Sequence, residues 1–275
     1  MESYFNNEEL KYFNQNYSFN NVLSVPIILN QIFQFLDKDK VKCLSLCNKK
    51  IYQIYCNQVK KLNINRKVEI SNLQVLLDKY ENSNNLDLRY CKNIEDFTII
   101  SKLEKLETFN VSYTNISDIS FLEKNKNIKE LILYNCIYIE DFTIISKLEK
   151  LENLNVSYTN ISDISFLEKN KNIKELILYG CKNIKDFTII SKLEKLENLD
   201  VSYTNISDIS FLEKNKNIKE LNLNMCENIE DFIIISKLEK LENLIVRDAN
   251  ISDISFLEKN KNIKELNLNG IEKLN

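Results

Sequence analysis

Apolar residues recur at fixed spacings along most of the chain. In two neighbouring stretches, which begin at Leu106 and Ile128, they follow the pattern (L/I)-x-x-(L/F)-x-(L/V)-x-x-(C/T), where x is any residue. In the second stretch, Leu131 and Leu133 alternate with residues of a different kind, such as Tyr134. This alternation predicts a short β-strand with one buried face.

The pattern returns in blocks of 45 residues. A phenylalanine opens each block: Phe97, Phe142, Phe187 and Phe232. Each block holds two copies of the pattern, so the repeating unit alternates between 22 and 23 residues. The segments SDISFLEK and EDFTIISKLEK predict short helical or 3-10 segments, called returns, that lead the chain from one strand to the next. Asp141 is placed to cap one return, and Ser120 to Glu123 has the spacing of a capping box.

This template resembles the leucine-rich repeat, and the match runs from about Leu86 to the C-terminus. The resemblance implies an α/β solenoid with a curved parallel sheet on its concave side and short helices or 3-10 turns on its convex side. One unit cannot bury its apolar side alone, so neighbouring units must stack. A weaker copy, 61–85, precedes the regular ones and includes the predicted helix SNLQVLLDKY. We therefore expect about ten parallel strands.

The repeats differ at selected positions. The stretch NISDISFLEKNKNIKEL occurs four times unchanged, whereas Ile177 becomes Asn222, and Ser202 becomes Arg247. We predict that these variable positions point into the concave face and bind a protein target, although drift after tandem duplication explains the same pattern. The candidate target-binding residues are Arg89, Asn110, Tyr113, Ile132, Tyr134, Tyr158, Ile177, Tyr179, Asp200, Tyr203 and Arg247.

The tyrosines are the best candidate anchors in this set, because a rigid amphipathic ring contributes contact area at a small entropic cost. Stacking of the rings on one another along the sheet is the alternative role. Glutamates at a constant interval form a second row on the same face: Glu130, Glu175, Glu220 and Glu265. They favour a basic partner, although the preceding lysines, Lys129 to Lys264, are expected to offset them.

Composition narrows the function. The chain has no histidine, only 2 glycines and 1 proline, and a net charge of −3. Histidine is the commonest general base and metal ligand, and phosphate-binding loops need glycine, so we expect neither an enzyme nor a cofactor or metal. Lysine and glutamate are interspersed, which argues against nucleic acid as a partner. No long apolar run predicts a membrane span or a signal peptide, so we expect a cytoplasmic or nuclear protein.

The 7 cysteines do not indicate a metal site. In the repeats they recur every 45 residues, at Cys91, Cys136, Cys181 and Cys226. That interval places them two strands apart, at ~10 Å, which is too far for a disulfide or for shared tetrahedral coordination. We expect them to be small buried hydrophobic residues.

The segment before the repeats has a different character. IILNQIFQFLD follows Pro26, and VKCLSLCNKKIYQI comes after it, so both read as amphipathic helices. This stretch resembles the F-box, through which substrate receptors bind the Skp-type adaptor of cullin-based ubiquitin ligases. The resemblance implies an adaptor-binding set: Pro26, Ile28, Leu29, Ile32, Phe33, Leu36, Val41 and Leu44. The alternative is that these helices only cap the solenoid.

The resulting domain prediction is a polar tail, 1–22, a small all-α F-box-like domain, 23–60, and a solenoid, 61–275. The implied function is a non-catalytic substrate receptor that joins an adaptor and cullin complex to an unknown protein target. A plain interaction scaffold is the alternative. The chain is similar to F-box proteins of amoebae and their giant viruses, which implies a host-cell role if it is viral. We expect the final repeat, which lacks a polar closing unit, to fray or self-associate.

Overall fold

The computed structural model describes residues 61–64, 70–249, 251 and 253–270. The predicted tail, 1–22, the F-box-like segment, 23–60, and the adaptor-binding residues from Pro26 to Leu44 lie outside the described residues. The chain divides into two compact units, and the larger comprises Lys61–Leu77 and Asn84–Asn275. Of the smaller unit, only Asp78–Ser83 are among the described residues.

In the part of the larger unit that the structure describes, ten strands form one parallel sheet in chain order. The strands are β1 Lys61–Asn63, β2 Asn85–Asp87, β3 Thr108–Asn110, β4 Glu130–Ile132, β5 Asn153–Asn155, β6 Glu175–Ile177, β7 Asn198–Asp200, β8 Glu220–Asn222, β9 Asn243–Ile245 and β10 Glu265–Asn267. Among the described residues β1 pairs only with β2 and β10 only with β9, so the sheet is open. This confirms the solenoid architecture and the predicted number of strands.

The register of the strands follows the repeat. Thr108 pairs with Glu130, which is 22 residues later, and Glu130 pairs with Asn153, which is 23 residues later. The apolar residue at the centre of each strand therefore stacks on its equivalents in both neighbours, as Leu131 does between Phe109 and Leu154. All three are at most 1% exposed, so their burial stabilises each unit only when the next unit is present.

Short helices return the chain from each strand to the next. The α-helix α1, Ile70–Lys79, follows β1 and buries Leu73 and Leu77, as its apolar spacing predicted. The later returns are 3-10 helices: η1 Thr98–Lys102, η2 Ser120–Lys124, η3 Thr143–Lys147, η4 Ser165–Lys169, η5 Thr188–Lys192, η6 Ser210–Lys214, η7 Ile233–Lys237 and η8 Ser255–Lys259.

Aspartates organise the starts of these 3-10 helices. Asp141 Oδ1 accepts a hydrogen bond of 2.8 Å from the Thr143 N–H, which confirms Asp141 as a cap. The capping box predicted for Ser120 and Glu123 is wrong. Ser120 is the first residue of η2, and its N–H donates to Asp118 Oδ1 at 2.7 Å. An aspartate two residues upstream thus satisfies the backbone N–H that would otherwise lack an acceptor.

Buried asparagines link successive returns. The Asn170 side chain is 0% exposed, and its Nδ2 donates to the Ile145 and Leu148 carbonyls, each at 3.0 Å. Asn125, Asn215 and Asn260 repeat this contact with the carbonyls 25 and 22 residues earlier. Each amide therefore bonds the last turn of one 3-10 helix to the return before it. These four residues form the asparagine row.

Candidate functional site

The strands present one side of the sheet to solvent. In most strands the first and third residues are half-buried while the central residue is buried, as in Glu130, Leu131 and Ile132 of β4. We define the sheet face as the first and third residues of each strand together with the residues two and three positions after the strand. Four predicted target-binding residues lie at the third position: Asn110, Ile132, Ile177 and Asp200.

The remaining predicted residues lie just beyond the strands. Arg89, Tyr134, Tyr179 and Arg247 each occupy the second position after a strand. Tyr113, Tyr158 and Tyr203 occupy the third position, and each has a positive φ, between 52° and 60°. The structure therefore places all eleven predicted target-binding residues either at the third position of a strand or two to three residues after one.

The serines at the second position do not point outward, contrary to the prediction. Ser112, Ser157 and Ser202 are at most 3% exposed. The Ser112 N–H and Oγ both donate to Asn110 Oδ1, at 3.0 and 2.6 Å. The short serine folds back to satisfy the polar side chain two residues before it, which is the geometry of an Asx turn. The same contact engages Asn110, Asn155 and Asp200 within the protein.

Six tyrosines lie side by side along the edge of the sheet face. They are Tyr90, Tyr113, Tyr134, Tyr158, Tyr179 and Tyr203, and together they form the tyrosine row. Neighbouring ring centroids are separated by 4.8, 5.0, 5.6, 4.7 and 6.2 Å in that order. From β3 to β7 tyrosine alternates between the third and second position after the strand, and the six rings form one continuous row of stacked, tilted and edge-to-face contacts. Tyr90 is 38% exposed and the others are half-buried, so the stacked rings keep solvent-facing surface.

Hydroxyl contacts strengthen this row. The Tyr158 hydroxyl donates to the Tyr179 hydroxyl at 2.8 Å, which raises the pKa of Tyr158 to about 12. Burial, followed by the hydrogen bond to Tyr113, raises the pKa of Tyr134. Both phenols therefore remain neutral at physiological pH. Their ring faces carry the negative potential of an aromatic π-system.

The left-handed backbone at the third position sets the direction of four of these rings. Only glycine, and less readily asparagine or aspartate, adopts this conformation without strain, yet Tyr90, Tyr113, Tyr158 and Tyr203 adopt it. The equivalent Gly180 has φ of 71°, and a Cβ there would lie 2.7 Å from Tyr158 Cδ1 and Cε1. The missing side chain leaves space for the Tyr158 ring. Asn135 and Gly180 at the aligned positions were the sequence signal for this conformation.

A carboxylate row crosses the sheet face at the first strand position. Its members are Glu130, Glu175, Glu220 and Glu265. The expectation that the preceding lysines neutralise it is wrong, because those lysines pair with other glutamates. Lys174 Nζ lies 2.7 Å from Glu152 Oε2, and Lys129, Lys219 and Lys264 repeat this contact. Lys174 precedes β6 as Glu152 precedes β5, so parallel pairing places these two side chains together.

The electrostatics of Glu175 reflect this arrangement. Burial raises the pKa of its carboxyl, and repulsion from Glu130 and Glu220 raises it further. A cavity of about 170 Å³ opens beside it on the sheet face. Three carboxylates and two isoleucines are among its lining residues: Glu175, Asp200, Glu220, Ile177 and Ile245. Neither lysine nor arginine is among the described residues that line this cavity.

The first and the last of the eleven predicted target-binding residues in the sequence are arginines. Arg89 forms a bidentate contact with Asp87, with Nη2 at 2.8 Å from Oδ2, whereas Arg247 is exposed. The Lys182 Nζ lies 3.7 Å from the centroid of the Tyr203 ring, at the end of the tyrosine row. A cation therefore already rests on one ring of this row.

The cysteines of the repeats are buried, as predicted. Cys136 Sγ donates to the Val111 carbonyl at 3.2 Å, and burial raises the pKa of its thiol to about 11. In the described part of the chain, no group of three histidine, cysteine or acidic residues is arranged to hold a metal ion. Among the helices of the described residues, none has the length and apolar character of a membrane span.

Comparisons with known proteins agree with this geometry. A family model described as Zer-1-like leucine-rich repeats matches residues 97–168 and 142–221. No curated protein sequence matches the chain. An internalin (InlF) from Listeria monocytogenes is similar in structure, with a TM-score of 0.66 and 24% identity over 88% of this chain and 77% of that one.

Two further structures have the same fold. A leucine-rich-repeat protein from Leptospira interrogans has a TM-score of 0.66 and 19% identity, covering 80% of this chain and 57% of its own length. The ectodomain of the receptor kinase GASSHO1/SCHENGEN3 from Arabidopsis thaliana, in complex with CASPARIAN STRIP INTEGRITY FACTOR 2, has a TM-score of 0.53. That ectodomain is 17% identical, over 73% of this chain and 26% of that one.

Proposed function

From the leucine-rich-repeat solenoid fold of this chain, we propose that it is a non-catalytic interaction module that binds a protein partner on its sheet face. The observation that carries the proposal is the tyrosine row. Tyrosine is enriched among residues that dominate binding energy, because its ring contributes a large contact area and loses little entropy. The receptor ectodomain of the same fold, which is seen in complex with another factor, supports a binding role.

The row is suited to binding because its rings are already ordered. Each ring packs on its neighbours at 4.7 to 6.2 Å, and a hydrogen bond joins Tyr158 to Tyr179. A partner therefore pays little additional ordering entropy when it covers these side chains. Ile132 and Ile177 extend the apolar area onto the sheet face beside the row. Stacking and partner binding, which were alternatives for the tyrosines at the level of sequence, are compatible in this geometry.

The test is comparative affinity capture from cell lysate with the full chain as bait. A Tyr134→Ala/Tyr179→Ala bait should lose the proteins that the native bait retains. The matched control is Lys124→Ala/Lys169→Ala, which changes two exposed residues of η2 and η4 at the same interval of 45 residues. If both variant baits lose the same proteins, or if neither variant bait loses any, the result would contradict binding at the sheet face.

A second candidate is the substrate receptor of a cullin-type ubiquitin ligase, acting in the cytoplasm or nucleus, and in a host cell if the chain is viral. Its support is the resemblance of 23–60 to the F-box, together with the solenoid that follows. In this proposal the segment binds a Skp-type adaptor, the sheet face holds the target, and enzymes recruited with the cullin transfer ubiquitin. Proximity is the contribution of this chain.

Pull-down with a purified Skp-type adaptor distinguishes the two candidates. The native chain should bind, and Ile32→Asp and Phe33→Asp should abolish binding, because each places a charge on the apolar side of the predicted helix. Gln34→Asp is the control, since it changes a polar position of the same predicted helix. Absence of adaptor binding by the native chain would leave the plain interaction scaffold.

A further inference from the structure

Within the described residues, the sheet face from β4 to β9 carries a net negative charge. The first and third residues of β4 to β9 include four carboxylates and neither lysine nor arginine: Glu130, Glu175, Asp200 and Glu220. Asp200 is engaged by Ser202 and Asn222, and Glu130 accepts a hydrogen bond of 3.2 Å from Thr108. The lysines that precede these strands pair with Glu107, Glu152 and Glu197 instead.

An approaching cation would relieve the repulsion among these carboxylates. Burial and the like-charged neighbours in the carboxylate row raise the pKa of Glu175, so a cation beside it would favour its ionised form. The cavity beside it leaves space for a side chain between Glu175 and Glu220. Ile177 and Ile245 line the same cavity and would contact the aliphatic part of a lysine or arginine.

The tyrosine row forms the opposite border of this surface. Its members follow the first strand position by four or five residues, so the two rows are at most roughly 17 Å apart at ~3.3 Å per extended residue. That width accommodates one extended chain. Aromatic rows of this kind bind polyproline II segments, which are rigid before binding and therefore lose little entropy. The Lys182 ammonium on the Tyr203 ring shows that the rings also attract cations.

We propose, resting on the protein-binding role above, that the partner is an extended basic segment that crosses β4 to β8 between the two rows. The segment has a lysine or arginine at every third residue. Its cationic side chains contact the carboxylate row, and its backbone packs against the tyrosine row.

The spacing of the carboxylates supports the period of three. Glu130, Glu175 and Glu220 lie on alternate strands, which are ~9.6 Å apart at ~4.8 Å per strand. In a polyproline II helix, every third residue lies on the same side, at ~9.3 Å for a rise of ~3.1 Å per residue. Successive cations of such a segment therefore meet successive glutamates.

Fluorescence anisotropy with labelled peptides and the full chain tests this inference. The probe is a peptide of four Lys-Pro-Ala repeats. One comparison peptide has the same composition with its four lysines consecutive, and another has glutamate in place of lysine. The regular basic peptide should bind with an affinity at least about tenfold higher than either comparison peptide, and binding should weaken as salt rises.

Variants of the chain locate the binding. Glu175→Gln/Glu220→Gln should weaken the regular basic peptide about tenfold, because two carboxylates are lost from its path. Glu123→Gln/Glu168→Gln removes the same charge from η2 and η4, at the same interval, and should leave the affinity unchanged. Tyr179→Ala should weaken binding of the regular basic peptide about threefold. Tyr179→Phe keeps the aromatic ring and should retain the native affinity.

Equal binding of the clustered or acidic peptide, or equal loss with both glutamine pairs, would overturn the proposal. The absence of any peptide binding would also overturn it. In either case, capture of proteins from lysate that depends on Tyr134 and Tyr179 would still support the protein-binding role. If both the peptide binding and this capture fail, both proposals are rejected.

Discussion

The return side of the solenoid and its sheet face follow different rules, although both belong to the same repeats. On the return side, identical residues make nearly identical contacts: the Ser120, Ser165, Ser210 and Ser255 N–H groups each donate to an aspartate at 2.7 or 2.8 Å. On the sheet face, one backbone position accommodates Tyr158, Gly180, Tyr203 and Met225 with the same left-handed conformation. The return side is thus constrained by contacts between repeats, whereas the sheet face is free to vary.

This difference indicates which side of a set of nearly identical repeats can carry a binding function. A residue of the asparagine row donates to two carbonyls of the preceding return, so a change there removes two buried hydrogen bonds between repeats. A sheet-face residue contacts its neighbours mainly through side chains that already differ from repeat to repeat. Variation on that face is therefore tolerated, and it can set the choice of partner.

The largest expected contrast lies between adjacent residues of one strand. Leu176→Ala removes a side chain that is 0% exposed in β6, and it should lower the free energy of unfolding by about 3 kcal/mol. Ile177→Ala changes the half-buried neighbour on the sheet face and should lower it by less than about 1 kcal/mol. Urea unfolding followed by circular dichroism measures both. Similar losses would contradict the assignment of the two faces.

The asparagine row should be nearly as sensitive. Asn215→Asp replaces an amide that donates to the Ile190 and Leu193 carbonyls, at 3.0 Å each, with a group that cannot donate when ionised. We expect a loss of about 2 to 3 kcal/mol, because a buried carboxylate faces two carbonyl oxygens. Asn183→Asp, at an exposed turn residue, is the control in the same unfolding assay. Equal midpoints for both variants would show that the row does not stabilise the stack.

A smaller effect is expected where the sheet face is crowded. Gly180→Ala should lower the free energy of unfolding by about 1 to 2 kcal/mol, because its Cβ meets the Tyr158 ring and φ is 71°. The near-ultraviolet circular dichroism of the tyrosines should change as the ring moves. Asn135→Ala, at the equivalent position with a Cβ already present, is the comparison. An unchanged tyrosine spectrum in Gly180→Ala would contradict this packing.

The smallest effect concerns the charge of the carboxylate row. The pKa of Glu175 is raised in the folded chain, so the unfolded chain releases this proton first as pH increases. The contribution of Glu175 to stability is therefore greatest below the ordinary glutamate pKa and falls as pH rises through the folded value. Glu175→Gln removes the loss of stability that accompanies ionisation of Glu175. This variant should be more stable than the native chain at neutral pH, by less than about 1 kcal/mol.

The control for this pH dependence is Glu168→Gln, at an exposed position of η4. The difference between Glu175→Gln and the native chain should shrink on acidification, because the native carboxyl is then neutral as well. A stability difference that is constant from acidic to neutral pH would show that repulsion within the carboxylate row does not act on Glu175.

Sequence patterns predicted the fold closely but the site only in part. The apolar spacing of the repeats predicted about ten parallel strands, and the cysteines of the repeats are buried as expected. Target binding by the eleven candidates stays a prediction. The same patterns failed for Ser112, which folds back on Asn110, and for Lys174, which pairs with Glu152. Those contacts depend on side-chain direction and on the exact pairing of strands, which the repeat period does not specify.

The repeat of apolar residues every 22 or 23 positions is already enough to require stacking, because a single unit cannot cover its own apolar side. The contacts between polar side chains depend instead on the folded arrangement. Parallel pairing places Tyr158 beside Tyr179 and Lys174 beside Glu152, so residues distant in the chain form the tyrosine row, and the lysines that precede the carboxylate row pair with other glutamates. Hydrophobic burial depends on composition and period, whereas hydrogen bonds and ion pairs depend on the positions of individual atoms.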